Sequence, residues 1–375
     1  MNNIPMLDLK GQYQRLKTDI DTAIQEVIDS SQYINGPVVE QFESSLARYL
    51  GSKYVISCAN GTDAIQIALM SLEMTPGDEV IIPSFNYIST AEVVVLLGLT
   101  PVMIDVDEKT FNCTAEAIED AITSKTKVIV PVHLFGQSCP MEEIMSIANK
   151  HQLYVIEDNA QSIGASYQFT NGTSHKTGTI GHIGCTSFFP SKNLGCFGDG
   201  GAMYTDDDQL AEKMRMISKH GQQIKYHHEL LGCNSRLDAI QAAVLNVKLN
   251  HLDSFLKKRQ QTADIYDDLL PNVKSVIIPQ RASSSVHTFN QYTLRIINGH
   301  RDSLREHLTS VGIATAIYYP IPLYNQKAFG GKISLDHEHT ERLCESVLSI
   351  PLHTELSQET QHKIVDEIRL FFKFI

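Results

Sequence analysis

The sequence predicts an α/β protein with a mainly parallel sheet, and three observations carry that reading. Short apolar, β-branched runs alternate with helical patterns from Tyr54 to Tyr204. Further on, Pro271, Pro279 and Ser283 to Ser285 mark a boundary region, after which the order of elements changes. Length adds the third: 375 residues, 42% apolar and 20% charged, suffice for a large core and two domains.

Taken in order, Val55 to Cys58, Val80 to Ile82, Val102 to Ile104, Val128 to Val132 and Tyr154 to Ile156 read as buried strands. Between them, Thr62 to Leu72, Ser89 to Leu97, Ala115 to Ile122 and Met141 to His151 read as helices. The last follows Pro140, a residue suited to a helix start. Such alternation yields a parallel sheet covered on both faces. One long helical stretch, Leu237 to Leu270, is expected to bridge two domains. Beyond it, Gln291 to Ile296 reads as a strand, Arg301 to Ser310 as a helix, and Ile333 to Ile375 as more helix than strand.

A net charge of −12 argues against nucleic acid as a partner, because phosphate backbones select basic faces. Seven cysteines without a CxxC pair fit reduced thiols better than a disulfide framework. The start, Met1 to Pro5, lacks a signal-peptide layout, and Val93 to Leu99 is too short to cross a bilayer. A soluble, cytoplasmic protein with no membrane partner is expected. His227-His228 and His337-Glu338-His339 lack the spacing of a helical zinc site, so no metal is expected.

Ligands of an open parallel sheet bind beyond the carboxyl ends of its strands, and several chemically apt groups fall there. Asn60-Gly61-Thr62-Asp63 opens a helix after the first strand, where free N–H groups and a hydroxyl suit a phosphate. The same residues suit a simple N-cap. Asp158, ending another strand, would be costly to bury without a cation or donors, and suits a protonated ring nitrogen. An acidic helix cap is the alternative.

Lys192 lies between the apolar run ending at Phe189 and the glycine-rich Gly198-Asp199-Gly200-Gly201. Apolar surroundings favour a neutral, nucleophilic amine of the kind that forms Schiff bases, although a lysine snorkelling from a loop fits too. A phosphate cup, an aspartate for a ring nitrogen and a Schiff-base lysine together are what pyridoxal phosphate requires. Ser187 adds a hydroxyl for the phosphate, and Tyr87 suits stacking on the ring or packing under a helix start. Gly198 to Gly201 leads into strand-like Ala202-Met203-Tyr204, which excludes a dinucleotide fingerprint.

Ile34 to Pro37, Ala59 to Ala64, Glu157 to Gln161, Ser187 to Lys192, Gly198 to Gly201 and Asn234 to Asp238 form an ordered set. On these residues the chain resembles the DegT/DnrJ/EryC1/StrS sugar aminotransferases, over nearly its whole length. Cys58 to Ala64, Thr186 to Gly201, His220 to Gln222, Asn234 to Ala243 and Gln291 to Thr293 make it most similar to aminotransferases of a UDP-2-acetamido-2-deoxy-3-oxo-hexuronate. Those enzymes make 3-amino uronic acids for surface polysaccharide.

The resemblance implies a fold type I pyridoxal-phosphate enzyme with a mainly parallel seven-stranded sheet and a smaller α+β C-terminal domain. Residues 1–250 would form the large cofactor-binding domain, with an N-terminal helix, and 251–375 the long linking helix and small domain. It implies that Lys192 carries the cofactor, Asp158 pairs with its ring nitrogen, Gln161 lies by the ring hydroxyl and Tyr87 on the ring face. Asn60, Gly61, Thr62 and Ser187 would hold the phosphate. Asn234 would reach the phosphate of a neighbouring subunit, so the resemblance implies a homodimer with shared sites. Arg236 and Tyr318 would meet substrate, Arg236 through a bidentate pair with an anionic group.

Two departures stand out: Asn86 where threonine is frequent, and Tyr324 in place of a frequent histidine. Both are expected near the substrate. The expected partners are L-glutamate and a nucleotide-linked ketosugar aminated at C3. The alternatives are C4 amination of a UDP- or dTDP-linked 4-keto-6-deoxy sugar and, from another class, a non-catalytic regulator that binds the cofactor.

Overall fold

The computed structural model describes residues 3–330 and 336–373. The expectations for Met1 and Asn2, and for 333–335 and 374–375 within the helical C-terminus, therefore fall outside the described residues.

In the first part of the chain the elements run α1 (Leu9–Ser30), α2 (Pro37–Leu50), β1 (Tyr54–Cys58), α3 (Gly61–Ser71), β2 (Glu79–Pro83), α4 (Ser89–Leu96), β3 (Thr100–Ile104), α5 (Ala115–Asp120), β4 (Thr126–Ile129), α6 (Met141–His151) and β5 (Tyr154–Asp158). Then come β6 (Ser166–Gln168), β7 (Ser174–Lys176), β8 (Ile183–Ser187), β9 (Gly201–Thr205), α7 (Asp208–Ile217), β10 (Gln222–Ile224), β11 (His227–His228), α8 (Ala239–Leu249) and α9 (Leu252–Leu269). The rest holds β12 (Val276–Ile277), β13 (Ser285–Val286), β14 (Tyr292–Ile296), α10 (Arg301–Ser310), α11 (Glu338–Ser346), β15 (Val347–Ile350) and α12 (Gln358–Lys373).

Seven strands form the main sheet in the order β1-β9-β8-β5-β4-β2-β3. Strand β9 pairs antiparallel with both β1 and β8, and the other pairings are parallel. The expected mainly parallel, seven-stranded fold is therefore the one found. Its strands are apolar on both faces because helices cover both: α3, α4 and α7 close one core, α2 and α8 another, and α5 and α6 a third. The edges of α6 illustrate the local logic. Glu142 and Glu143 occupy its first turn and Lys150 and His151 its last, each opposing the helix dipole.

A second sheet, β12-β14-β15, supports a separate core with Tyr266 of α9 and Ile364, Val365 and Ile368 of α12. Ile4 joins that core and bridges to Ile313, so the chain start is tied to its C-terminal part.

One expectation needs correction. The stretch Leu237 to Leu270 is two helices, broken at Asn250 and His251. Leu245, Leu249 and Leu252 pack on the main sheet, whereas Ala263 and Tyr266 turn to the second core. The apolar pattern continues through the break while its direction in space changes, which periodicity does not record. The described C-terminal residues are more helix than strand, as expected, with α11 and α12 flanking β15, a four-residue buried run. Apolar runs of that length read alike as strand or buried helix.

Candidate active site

The carboxyl ends of β5 and β8 and the start of α3 open onto a cavity of about 630 Å³. Asn60, Gly61, Thr62, Tyr87, Asp158, Gln161, Ser187, Lys192 and Tyr318 all line it. Nine of the eleven residues named from the sequence are thus brought together, from segments as far apart as Asn60 and Tyr318.

At the start of α3, the Asn60 carboxamide oxygen accepts the Asp63 N–H at 2.8 Å, and the Asn60 carbonyl accepts the Ala64 N–H at 3.1 Å. Both sequence readings hold here, since Asn60 caps the helix and also faces the cavity. First-turn amides have no partner one turn back, so Gly61 and Thr62 present theirs to a ligand. Gly61 is needed for contact: a Cβ there would stand 2.7 Å from the Ser187 Cβ. Without a side chain at that position, α3 closes against the end of β8, and Ser187 lines the same cavity beside Gly61 and Thr62.

Asp158 ends β5 with 5% of its surface exposed. Burial raises its proton affinity, while the Ala160 N–H, the Lys192 charge and the Thr90 hydroxyl oppose that. One carboxylate oxygen accepts Ala160 N–H at 3.1 Å and the other accepts Thr90 Oγ1 at 3.1 Å. Directly before it, Glu157 is fully buried and accepts the N–H groups of Gly178, Ile180 and Gly181 and His133 Nε2. His133 Nδ1 accepts the Cys139 N–H at 3.1 Å, so its proton sits on Nε2 and goes to Glu157. Four donors satisfy this buried carboxylate and pin the strand end that carries Asp158.

Lys192 sits on the loop from β8 to β9, and burial lowers its amine to about 8 against the opposing pull of Asp158. The loop is braced by its own backbone, with the Phe188 N–H on the Gly200 carbonyl at 2.7 Å and the Lys192 N–H on the Phe189 carbonyl at 2.8 Å. A second buried lysine, Lys248 of α8, donates to the Gly195 carbonyl at 2.6 Å. Gln161 accepts the Phe135 N–H at 2.8 Å and donates to the Tyr319 hydroxyl at 3.0 Å, which fixes its amide. Tyr87 is 56% exposed at the cavity mouth, with its ring 6.2 Å from that of Tyr319.

Asn234 and Arg236 stand apart from this cavity. Asn234 is exposed and bridges through its backbone to Lys219. Arg236 lines a different recess of about 70 Å³ with Asn35, Glu43 and Arg215.

The two departures also lie elsewhere than expected. Tyr324 is buried against His337, with its hydroxyl 3.3 Å from Glu341, and Asn86 is buried behind Tyr87. Neither lines the cavity, because each side chain is spent on its own helix start or neighbour.

Sequence reasoning missed Ser89, Phe189, Gln291 and Tyr319 in the lining and Thr90 behind it. Helical spacing from Tyr87 signals Thr90, but nothing local marks Gln291. Among the described residues, no group of three His, Cys, Asp or Glu could hold a metal ion, and no helix is long and apolar enough to cross a membrane.

Residues 14–369 match the DegT/DnrJ/EryC1/StrS aminotransferase family. A protein of Geobacillus stearothermophilus described as a pleiotropic regulatory protein is 44% identical over 99% of both chains. The UDP-2-acetamido-2-deoxy-3-oxo-D-glucuronate aminotransferase of Pseudomonas aeruginosa is 45% identical over 94% of this chain and 96% of its own. The crystal structure of S. venezuelae DesV in complex with a ketimine intermediate superposes with a TM-score of 0.96, at 36% identity and 100% coverage of both chains.

Enzymes of this family use pyridoxal 5′-phosphate. The cavity fits it in size and in donor set. An anion site at Gly61, Thr62 and Ser187, a buried carboxylate at Asp158 and an amine at Lys192 face one space. With that fit and a match spanning almost the entire chain, the protein belongs to the DegT/DnrJ/EryC1/StrS family and is a pyridoxal-phosphate-dependent nucleotide-sugar aminotransferase.

Proposed function

We infer that the protein moves an amino group from L-glutamate to C3 of a UDP-linked 2-acetamido-2-deoxy-3-oxo-hexuronic acid, a step in surface-polysaccharide synthesis. The observation that carries this reading is the 45% identity, over 94% of the chain, to an enzyme named for that substrate.

Pyridoxal phosphate, when bound, supplies the electron sink that stabilises a carbanion next to the reacting nitrogen. Lys192 would hold the cofactor through its amine and, when that amine is free, would carry the proton to and from the reacting carbon. A proton affinity near neutrality suits an amine that must both take and return a proton. Asp158 would hold the ring-nitrogen proton. Gly61, Thr62 and Ser187 would hold the phosphate through N–H and hydroxyl groups, Gln161 would serve the ring hydroxyl, and Tyr87 would cover the ring. Glutamate leaves as its 2-oxo acid, and the second half-reaction places the nitrogen on the sugar ketone.

Lys192 is the only basic residue lining the cavity among the described residues. Glutamate, a uronate and a diphosphate bring several negative charges to that space. Homodimerisation answers the deficit, with Asn234 of one subunit at the phosphate of the other and Arg236 at an anionic group of the substrate. Tyr318 meets the sugar from the same chain.

The test is incubation of the holoenzyme with glutamate and each candidate ketosugar, followed by NMR mapping of the new amine. Amination at C3 of the 3-oxo-hexuronate is expected. Amination at C4 of a UDP- or dTDP-linked 4-keto sugar alone would overturn the substrate reading. Failure of glutamate to bleach the cofactor band would overturn the donor.

A further inference from the structure

Behind the cavity, three buried side chains form a directed line: Asn86, Thr90 and Asp158 are 3%, 0% and 5% exposed. The direction follows from what each atom can do. The Tyr87 backbone N–H can only donate, and it lies 2.7 Å from Asn86 Oδ1, so that atom is the amide oxygen. Asn86 Nδ2 therefore faces Thr90 Oγ1, at 3.1 Å, and can only donate to it. With its oxygen accepting from Asn86, Thr90 has its own proton left for Asp158 Oδ2 at 3.1 Å. A helical threonine ordinarily returns its hydroxyl to a carbonyl one turn back. Here the hydroxyl is spent on the carboxylate instead.

We propose that Asn86 is a positioning residue that keeps the Thr90 hydroxyl proton aimed at Asp158, so that Asp158 stays anionic and directed at the ring nitrogen of pyridoxal phosphate. This rests on the assignment of Asp158 to that nitrogen. Linked donors polarise one another in a low-dielectric interior, so the far end of the line matters to the near end. The line is needed because burial works against the charge on Asp158, and the cavity is not uniformly positive around it. Lys192 favours the anion and His133 would do so only if protonated, while Cys185, Tyr204 and Tyr319 also face it and would oppose it if ionised. The relay, the Ala160 N–H and Lys192 together oppose the desolvation, which still leaves the proton affinity of Asp158 raised, so each donor in the line counts.

Asn86→Asp tests the direction of the line with almost no change of shape. It places an acceptor where Nδ2 stood, so the Thr90 proton turns away from Asp158. Holoenzyme carrying nitrogen-15-labelled cofactor would be examined by NMR at fixed pH, beside Thr90→Val, Thr90→Ser, the Asn86→Asp/Thr90→Val double variant and Asp158→Asn. In Asn86→Asp and Thr90→Val, the ring-nitrogen resonance is expected to move toward the unprotonated position. kcat should fall about tenfold, with KM for glutamate within about twofold. The double variant should be no worse than either single change, because both break one line. Thr90→Ser, which keeps the hydroxyl, should hold the wild-type resonance.

An unmoved resonance in Asn86→Asp, or effects that add in the double variant, overturns the proposal. If Asp158→Asn also leaves the resonance in place, the assignment of Asp158 falls with it. If only Asp158→Asn moves the resonance, Asp158 stands and the role of Asn86 falls. Should Asn86→Asp not fold, the contrast between Thr90→Val and Thr90→Ser decides, and equal resonances in those two overturn the proposal.

Discussion

The cofactor cradle and the limb from Gln222 to Arg236 are both expected to serve a catalytic site, yet they are built in opposite ways. Asp158 and Ser187 end buried strands, and Lys192 rides a loop braced by backbone bonds and by Lys248. The limb instead leaves Ile224, Tyr226 and Leu231 at 65%, 78% and 91% exposure, and carries Asn234 and Arg236 away from the cavity of its own chain. Large apolar side chains exposed to this degree suit a surface that meets a partner. The cavity-lining residues of the cradle come from one chain, whereas the limb exposes apolar groups that the proposed second subunit would cover.

The largest effect that could break this comparison lies in the cradle. Lys192→Ala is expected to lose the visible cofactor band and to reduce turnover at least about a thousandfold. Normal turnover in that variant would remove Lys192 from the mechanism. Asp158→Asn should cost about a hundredfold in kcat while leaving the band present, because a neutral side chain no longer holds the ring proton.

The limb should behave differently. Arg236→Ala is expected to raise KM for the ketosugar about tenfold with kcat little changed, the signature of a lost binding contact. Mixing inactive Lys192→Ala chains with chains bearing Arg236→Ala sharpens the point. If the limb serves the neighbour, hybrids contain one site with both residues intact, and low-substrate activity exceeds the sum of the two variants. If Arg236 serves its own chain, no gain appears.

Two smaller effects probe how the cradle is prepared. Gly61→Ala should weaken phosphate binding and destabilise the fold by about 1–3 kcal/mol, measurable by cofactor titration and thermal unfolding, since the new methyl meets Ser187. The rate at which apoprotein takes up pyridoxal phosphate covalently should rise with pH around a midpoint near 8. Burial has lowered the Lys192 amine to about that value, and only the neutral amine, dominant above it, attacks the aldehyde. A flat profile between pH 6 and 10 would count against a perturbed lysine.

Most of the cradle was legible in the sequence because its residues sit beside the strands that place them. Asp158 adjoins Tyr154 to Ile156, and Gly61 and Thr62 follow Val55 to Cys58, so the rule that ligands gather at strand ends sufficed. Tyr324 and Asn86 show where that reasoning stopped. Both were expected at the substrate, but each side chain finds a nearer partner, Glu341 and His337 for one and Tyr87 and Thr90 for the other. Gln291 and Tyr319 enter the cavity from segments more than a hundred residues beyond Asp158, and no local pattern announces such an approach.

What the sequence by itself determined is the fold class, the mainly parallel sheet and the chemically apt residue types, among them Lys192, Asp158, Gly61 and Thr62, that fall at or beyond strand ends. These follow from periodicity and from residue types at strand ends, which are local properties. Only the tertiary structure decided that Leu237 to Leu270 is two helices, that Asn86 and Thr90 stand in line behind Asp158, and that Arg236 turns from its own cavity. Each of these depends on the direction in which a chain leaves an element and on which distant surface covers it. Spacing along the chain records neither.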